Sequence, residues 1–313
     1  MQLADIKAPA KGAHQDLNGL IALRYPARKL NLGYRSRALS ALAGPNKSNF
    51  RGRGIDFEEV RSYQPGDDIR TIDWRVTART GAAHTKLFRE ERERPVLLVV
   101  DQRNSMFFGS RYCFKSVLAG QLASLLAWSA LDRGDRVGGL VFNDNSHREL
   151  RPRRSRKNVL TLLSEITRYN AALPCDGAGT ESSFATMLGN LRRIARPGSS
   201  LFLISDFRGA GSSRASEHLF ELAKHTELTA IACEDPLESE LPRAGSYTVT
   251  DGERRSELHT ADKQLRQDYA VQHRAYRDEL AHQLMSLGVP LLNASTQESP
   301  FVLLHTYYGG SRG

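Results

Sequence analysis

Val96-Leu97-Leu98-Val99-Val100-Asp101 and, further along, Ser200-Leu201-Phe202-Leu203-Ile204-Ser205-Asp206 are unbroken apolar runs, and each ends in an aspartate. A short run with no polar interruption is buried on both faces, as the central strands of a parallel sheet are. Between and beyond these runs the period changes. Tyr112–Leu131 is rich in Leu and Ala and reads as a helix, with Asp132-Arg133-Gly134-Asp135 as its exit turn. Arg136–Phe142 reads as the next strand, and Ser155–Tyr169 and Glu181–Ala195 as helices. After the second run come a helix near Ser213–Lys224, a strand at Leu228–Cys233, a short strand at Ser246–Thr250, a long polar helix over Ala261–Leu287 and a last strand at Val289–Asn293. Strands alternating with helices predict an α/β fold: a Rossmann-like, doubly wound, mostly parallel sheet. Ligands of such sheets sit at the carboxyl ends of the strands, where Asp101 and Asp206 both fall.

Upstream of Pro95 the texture differs. Residues 1–94 read as an N-terminal extension and 95–313 as the α/β domain. The first fifteen residues read as loose, and Leu17–Ala43 as broken helix punctuated by Pro26 and Gly33. Residues 50–94 read as a β-rich or irregular module, with a turn at Gln64-Pro65-Gly66-Asp67 and a strand from His84 to Arg92.

The chain has 313 residues, 40% hydrophobic and 25% charged, which suits a globular protein with a sizeable core. No apolar run is long enough to cross a bilayer, and the first residues lack the apolar core of a secretory signal. Cys113, Cys175 and Cys233 are odd in number and widely spaced. That pattern argues against a disulfide framework or a zinc cluster and favours the cytoplasm. The net charge is +9, with eight basic and no acidic residues from Leu17 to Ile55 and a second cluster at Arg148, Arg151, Arg153, Arg154, Arg156 and Lys157. Such patches attract nucleic acid, anionic lipid or an acidic protein. The interleaved aromatics of a single-strand-binding groove are missing, so nucleic acid is the weaker expectation.

Asp101-Gln102-Arg103-Asn104-Ser105, Gly179-Thr180 and Ser205-Asp206-Phe207 all fall at loops on the carboxyl side of the sheet. Together they resemble the metal-ion-dependent adhesion site of von Willebrand factor A domains. The resemblance implies hard oxygen ligands for magnesium from Asp101, Ser105, Thr180 and Asp206, with an open position for a partner's carboxylate. One ligand position departs from the pattern, because it is Arg103. A guanidinium has only donors and cannot ligate a cation. Arg103 either turns inward to pair with Asp101 or Asp206, or points outward and leaves a weakened site. The plainer reading is that both aspartates cap loops and helix starts.

Arg53-Gly54-Ile55-Asp56-Phe57-Glu58-Glu59-Val60-Arg61, Tyr63, Gly66-Asp67-Asp68, Arg70, Ile72-Asp73-Trp74, Ala78-Arg79, and then Asp235-Pro236-Leu237-Glu238 with Leu241-Pro242, form one ordered signature. It resembles domain-of-unknown-function family 58, a bacterial group with a von Willebrand factor A-like domain, over about residues 30–305. Within that family the chain looks like the short soluble branch. The resemblance implies a partnership with a MoxR-type AAA+ ATPase. Arg61, Asp67, Asp68, Arg70, Asp73, Trp74 and Arg79 are the candidate partner-binding residues, or else an ion-pair network that holds the module together.

No P-loop, no H-E-x-x-H and no G-x-S-x-G is present. The expected function is therefore a non-catalytic binding or adaptor protein, with no certain cofactor, that helps to assemble or activate another complex and meets further proteins through the sheet rim. The alternatives are a metal-dependent hydrolase using Asp101 and Asp206, and binding of nucleic acid or anionic lipid by the basic patches.

Overall fold

The computed structural model describes residues 6–33, 37–42, 57–64, 72–88, 94–173, 181–242, 244–250 and 255–309. Its elements in chain order begin with α1 (Leu17–Ala22), α2 (Arg24–Ala27), α3 (Arg37–Leu42), β1 (Phe57–Ser62), α4 (Trp74–Thr80), β2 (His84–Phe88) and β3 (Pro95–Asp101). There follow α5 (Lys115–Asp132), β4 (Arg136–Phe142), β5 (His147–Arg153), α6 (Arg156–Ala171), α7 (Glu181–Ile194), β6 (Ser200–Ser205), α8 (Ser213–His225) and β7 (Glu227–Glu234). The last are α9 (Pro236–Ser239), β8 (Ser246–Thr250), β9 (Arg255–His259), α10 (Lys263–Ser286), β10 (Leu291–Ser295) and α11 (Pro300–Tyr308).

The chain forms two compact units, Met1–Ser48 with Pro95–Gly313, and Asn49–Arg94. This revises the expected division at residue 94. The early residues belong to the larger unit, and the smaller unit is inserted between them and β3. The reason is packing: Ala10, Leu20, Ala27, Leu30 and Leu39 are buried in the core of the larger unit.

The larger unit is built on a mixed α/β plan, a six-stranded sheet in the order β10-β7-β6-β3-β4-β5 flanked by helices. Every neighbouring pair is parallel except β4–β5. Side chains alternate across a strand, and β3 shows what that does here. Val96, Leu98 and Val100 enter one core layer with α5, α6 and α11, while Leu97 and Val99 enter the other with α7 and α8. On β4, Gly139 lets β3 come close, since a Cβ there would lie 2.3 Å from the Leu98 carbonyl oxygen. Helix α5 is buried along nearly its whole length. One side meets the sheet, and the other is covered by the N-terminal segment. Ser124 Oγ and Trp128 Nε1 donate to the Leu20 carbonyl at 2.7 and 3.3 Å, and Ser129 Oγ donates to that of Leu30 at 3.1 Å.

The described part of the first fifteen residues is not loose. Gly12 forms a parallel bridge with Cys113, Gln15 N donates to Asn170 Oδ1 at 2.9 Å, and Ser299 Oγ donates to the Ile6 carbonyl at 2.7 Å. Two further elements were not expected. The basic stretch after residue 146 is an antiparallel edge strand, β5, and the chain closes with α11 instead of ending at the last strand.

In the smaller unit, β1 and β2 pair antiparallel. Helix α4 starts at Asp73, whose carboxylate accepts from Arg75 N at 3.0 Å and Val76 N at 3.2 Å, and ends at Gly81 in the left-handed region, φ 75°.

The direction of winding reverses at β3. From there one path leads through α5 to β4, and the later chain returns on the other side to lay β6 beside β3, with Val100 opposite Ile204. A crevice opens at such a switch point, beyond the carboxyl ends of the two strands. Asp101 ends β3, and Asp206 directly follows β6.

Candidate functional site

Asp101, Arg103, Ser205 and Asp206 meet in that crevice. Arg103 follows β3 by two residues, and its side chain turns inward, only 4% exposed. Its Nε donates to both Asp101 carboxylate oxygens, at 3.1 and 3.0 Å, and its Nη2 donates to Asp101 Oδ2 at 2.7 Å. The same Nη2 reaches Asp206 Oδ1 at 3.3 Å, and Nη1 donates to the Arg208 carbonyl at 3.0 Å. Phe184 and Phe142 flank the guanidinium at 5.0 and 5.7 Å from their ring centres, which favours a cation stripped of water. Ser205 Oγ gives Asp101 Oδ2 a further hydrogen bond of 2.6 Å.

A second buried cation completes the arrangement. Lys115, the first residue of α5, is fully buried, and its Nζ donates to Asp206 Oδ2 at 3.2 Å and Glu238 Oε1 at 2.6 Å. Glu238 lies on α9 and also receives Arg208 Nη2 at 3.4 Å. The rim therefore pairs three cations, Arg103, Lys115 and Arg208, with three carboxylates, Asp101, Asp206 and Glu238.

The Asp235–Glu238 segment anchors this chain of charges. Glu238 Oε2 accepts from Asp235 N at 3.1 Å, which closes a capping box. Asp235 Oδ2 accepts from Ser110 N at 2.9 Å and from Thr296 Oγ1 at 2.5 Å, tying together the loops that follow β3, β7 and β10.

Burial alone would discharge Asp101, Arg103, Lys115 and Asp206. Asp206 nevertheless stays well below the usual carboxylate range, because Lys115 and Arg103 outweigh its desolvation. Lys115 is held protonated by Asp206 and Glu238, and Arg103 by Asp101, each against the cost of burial. Asp101 is pushed upward by full burial and by the neighbouring Asp206, with Arg103 opposing.

Beyond Asp206 the backbone is strained. Phe207 is buried and takes φ 60°, a left-handed conformation that costs a bulky residue about 1–3 kcal/mol. Ser205 Oγ accepts from its N–H at 2.9 Å, and Tyr276 of α10 donates to its carbonyl at 2.7 Å.

The magnesium that the sequence pattern implies does not fit this donor set. The guanidinium stands between the two carboxylates that would ligate the ion, and Lys115 takes the remaining oxygen of Asp206. Ser105 Oγ is buried beside Asp206 and favours its charged form. Thr180 lies outside the described residues. Among the described residues, no group of three His, Cys, Asp or Glu is placed to hold a metal.

Of the other candidates, Arg61 lies on β1, Asp73 caps α4, and Trp74 and Arg79 stand on α4, with Trp74 68% exposed. Asp67, Asp68 and Arg70 lie outside the described residues. Sequence reasoning missed Lys115 and left Glu238 without a role. For Lys115 the signal was present, since it is the one charged residue between Lys115 and Leu131 on a helix otherwise made of Leu, Ala and small residues.

A family model described as "Protein of unknown function DUF58" matches residues 59–279, a span that takes in most of the smaller unit's strand pair, the rim and most of α10. The chain belongs to the DUF58 family. Two relatives of this DUF58 protein are the uncharacterized proteins Rv1480 of Mycobacterium tuberculosis H37Rv and Mb1516 of Mycobacterium bovis. Each is 33% identical over 270 residues, 86% of this chain and 83% of the relative. Among solved structures, the conserved hypothetical protein BatB from Bacteroides thetaiotaomicron aligns at 15% identity and a TM-score of 0.35, over 62% of this chain and 98% of its own. An aerotolerance-related membrane protein from Bacteroides fragilis aligns over the same shares at 14% identity and 0.36. Likeness at that level carries no argument about role. No helix among the described residues is long and apolar enough to cross a membrane.

Proposed function

We propose that this DUF58 protein is a non-catalytic binding or adaptor protein built on a von Willebrand factor A-like domain, and that it works with a MoxR-type AAA+ ATPase to assemble or activate another complex. The observation that carries the binding reading is the closure of the rim. Asp101, Asp206 and Glu238 are each engaged by an internal cation, and an acid so engaged is a poor general base. This counts against the metal-dependent hydrolase alternative, which needs Asp101 or Asp206 free.

Each of the two units exposes side chains of the kind that dominate protein interfaces. The loop after β3 presents Phe108 and Tyr112, with the Arg111 guanidinium 5.1 Å from the Tyr112 ring. On the smaller unit, α4 presents Trp74 within the family signature. The ATPase partnership comes from the family resemblance. A cytoplasmic setting is part of the same reading, supported by Cys113 and Cys233 as free thiols buried in the core.

The test uses the purified chain with a MoxR-type ATPase of the same organism. The expected result is a stable complex and an altered ATPase rate, with Trp74→Ala weakening binding roughly thirtyfold, the cost of losing an interface hot spot. If the ATPase neither binds nor changes its rate, the adaptor reading fails.

One observation favours a second reading. The basic cluster Arg148–Lys157 sits on exposed edge strand β5 and the first turn of α6, with Glu149 its one acid. Binding of a polyanion there predicts a steep dependence on salt and its loss on reversing the charges of Arg153 and Arg154. Affinity that does not change with salt would remove it.

A further inference from the structure

We infer that Arg103 and Lys115 together are the rim's resident cations, supplying from the chain itself the two positive charges that a divalent ion would bring, so that any partner bound at this rim is bound without metal. The inference concerns the same rim as the proposed function, but its test is independent of any partner.

Three features of the crevice carry it. First, the cations are placed where an ion would have to sit. Arg103 Nη2 touches both Asp101 Oδ2 at 2.7 Å and Asp206 Oδ1 at 3.3 Å, and Lys115 Nζ takes Asp206 Oδ2 at 3.2 Å. A hard divalent ion binding between these carboxylates would have to expel both side chains. Second, neither cation has water to retreat into, since their side chains are 4% and 0% exposed. They enter the crevice from separate elements, the loop after β3 and the start of α5, and the Arg103 guanidinium is further fixed by the Arg208 carbonyl and two aromatic rings. Third, a further oxygen lies beside the two carboxylates. The Ser105 hydroxyl is buried beside Asp206 and favours its charged form. Asp101, Ser105 and Asp206 thus form an oxygen set of the right chemistry for magnesium or manganese, blocked by the Arg103 guanidinium and the Lys115 ammonium. The inference therefore has two parts: the wild-type crevice refuses divalent ions, and removing its cations opens a dormant site.

The experiment compares the wild type, Arg103→Ser and Arg103→Ser/Lys115→Met, with Mn²⁺ and Mg²⁺ as probes. Calorimetry reads binding, and the thermal midpoint reads stabilisation by mass action. The wild type is expected to show neither heat of binding nor a shift at millimolar ion. Arg103→Ser should gain a midpoint rise of several degrees with Mn²⁺, the double variant a larger one, and Asp206→Asn in either background should abolish it. Where a variant folds poorly alone, expression in manganese-supplemented medium should recover folded protein, and the Asp206→Asn change should prevent that rescue. Ion binding by the wild type would overturn the first part. Folded variants that stay silent to both ions, or a variant that manganese does not rescue, would overturn the second.

Discussion

Arg103→Met is expected to lower the folding stability of the larger unit by about 3–5 kcal/mol, the usual cost of removing one member of a buried ion pair. The methionine fills much of the same space between Phe142 and Phe184, so the loss reports mainly on charge. What remains is Asp101, fully buried, with Ser205 Oγ and the residue-103 backbone N–H as its donors. At about 2–4 °C per kcal/mol the thermal midpoint should fall by roughly 10 °C. Arg103→Lys should recover little of this, because an ammonium cannot reproduce the fork that reaches both Asp101 oxygens and Asp206. Combining Arg103→Met with Asp101→Asn should recover a good part, since the unpaired charge is then gone and the two effects are not additive.

The pH dependence follows from the same groups. The folded-state pKa of Asp206 lies below its unfolded value of about 3.9, so its contribution is present at neutral pH and is lost as pH falls through the folded value. Asp101 is shifted upward and acts in the opposite sense, so its charged form costs stability at neutral pH and acid relieves that cost. Without Arg103 the Asp101 effect should dominate. Arg103→Met should then lose less stability than the wild type between neutral and mildly acid pH, as chemical denaturation across that range would read. A variant as stable as the wild type at neutral pH would contradict the view that Arg103 is the counter-ion of the rim.

Trp128→Ala is expected to cost a similar amount, about 3–5 kcal/mol, for a different reason. Trp128 is wholly buried in the C-terminal half of α5, and its indole N–H reaches the Leu20 carbonyl at 3.3 Å while Arg24 lies over its ring at 5.7 Å. Truncation leaves a large cavity under the N-terminal segment. Ser124 still binds the Leu20 carbonyl, so the backbone there keeps one partner. Hydrogen exchange should show residues 17–30 losing protection well before β3 and β6. If their protection is unchanged, the segment is not held by α5.

The sheet was legible in the sequence because its signal is physical and local. A strand buried on both faces must be apolar along its middle, as Val96–Val100 of β3 and Leu201–Ile204 of β6 are. Asp101 at the end of β3 and Asp206 just after β6 mark the crevice in the sequence itself. Strand β5 was illegible for the converse reason. In His147-Arg148-Glu149-Leu150-Arg151-Pro152-Arg153 only Leu150 is buried, so there is no alternation to read. Charges and a proline are also what protect an exposed edge. Helix α11 is only nine residues long, although Ser299 as cap and Pro300 at its first position marked its start. The N-terminal residues looked loose because several of their ties run through backbone groups, as at Ile6 and Gly12, which composition cannot show. At the rim, the pattern put Arg103 among the acids, but its inward turn depends on Phe142 and Phe184, which lie far from it in sequence. Lys115 and Glu238 come together only through the docking of α9 against the start of α5.

The most direct test of the metal-free, ion-paired rim is a crystal structure of the wild-type chain grown with millimolar Mn²⁺, using anomalous diffraction at the manganese edge. The expected map has no anomalous peak in the crevice and shows the Arg103 guanidinium against Asp101 with Lys115 between Asp206 and Glu238. A peak at ligand distance from Asp101 and Asp206, with Arg103 swung out to solvent, would contradict it.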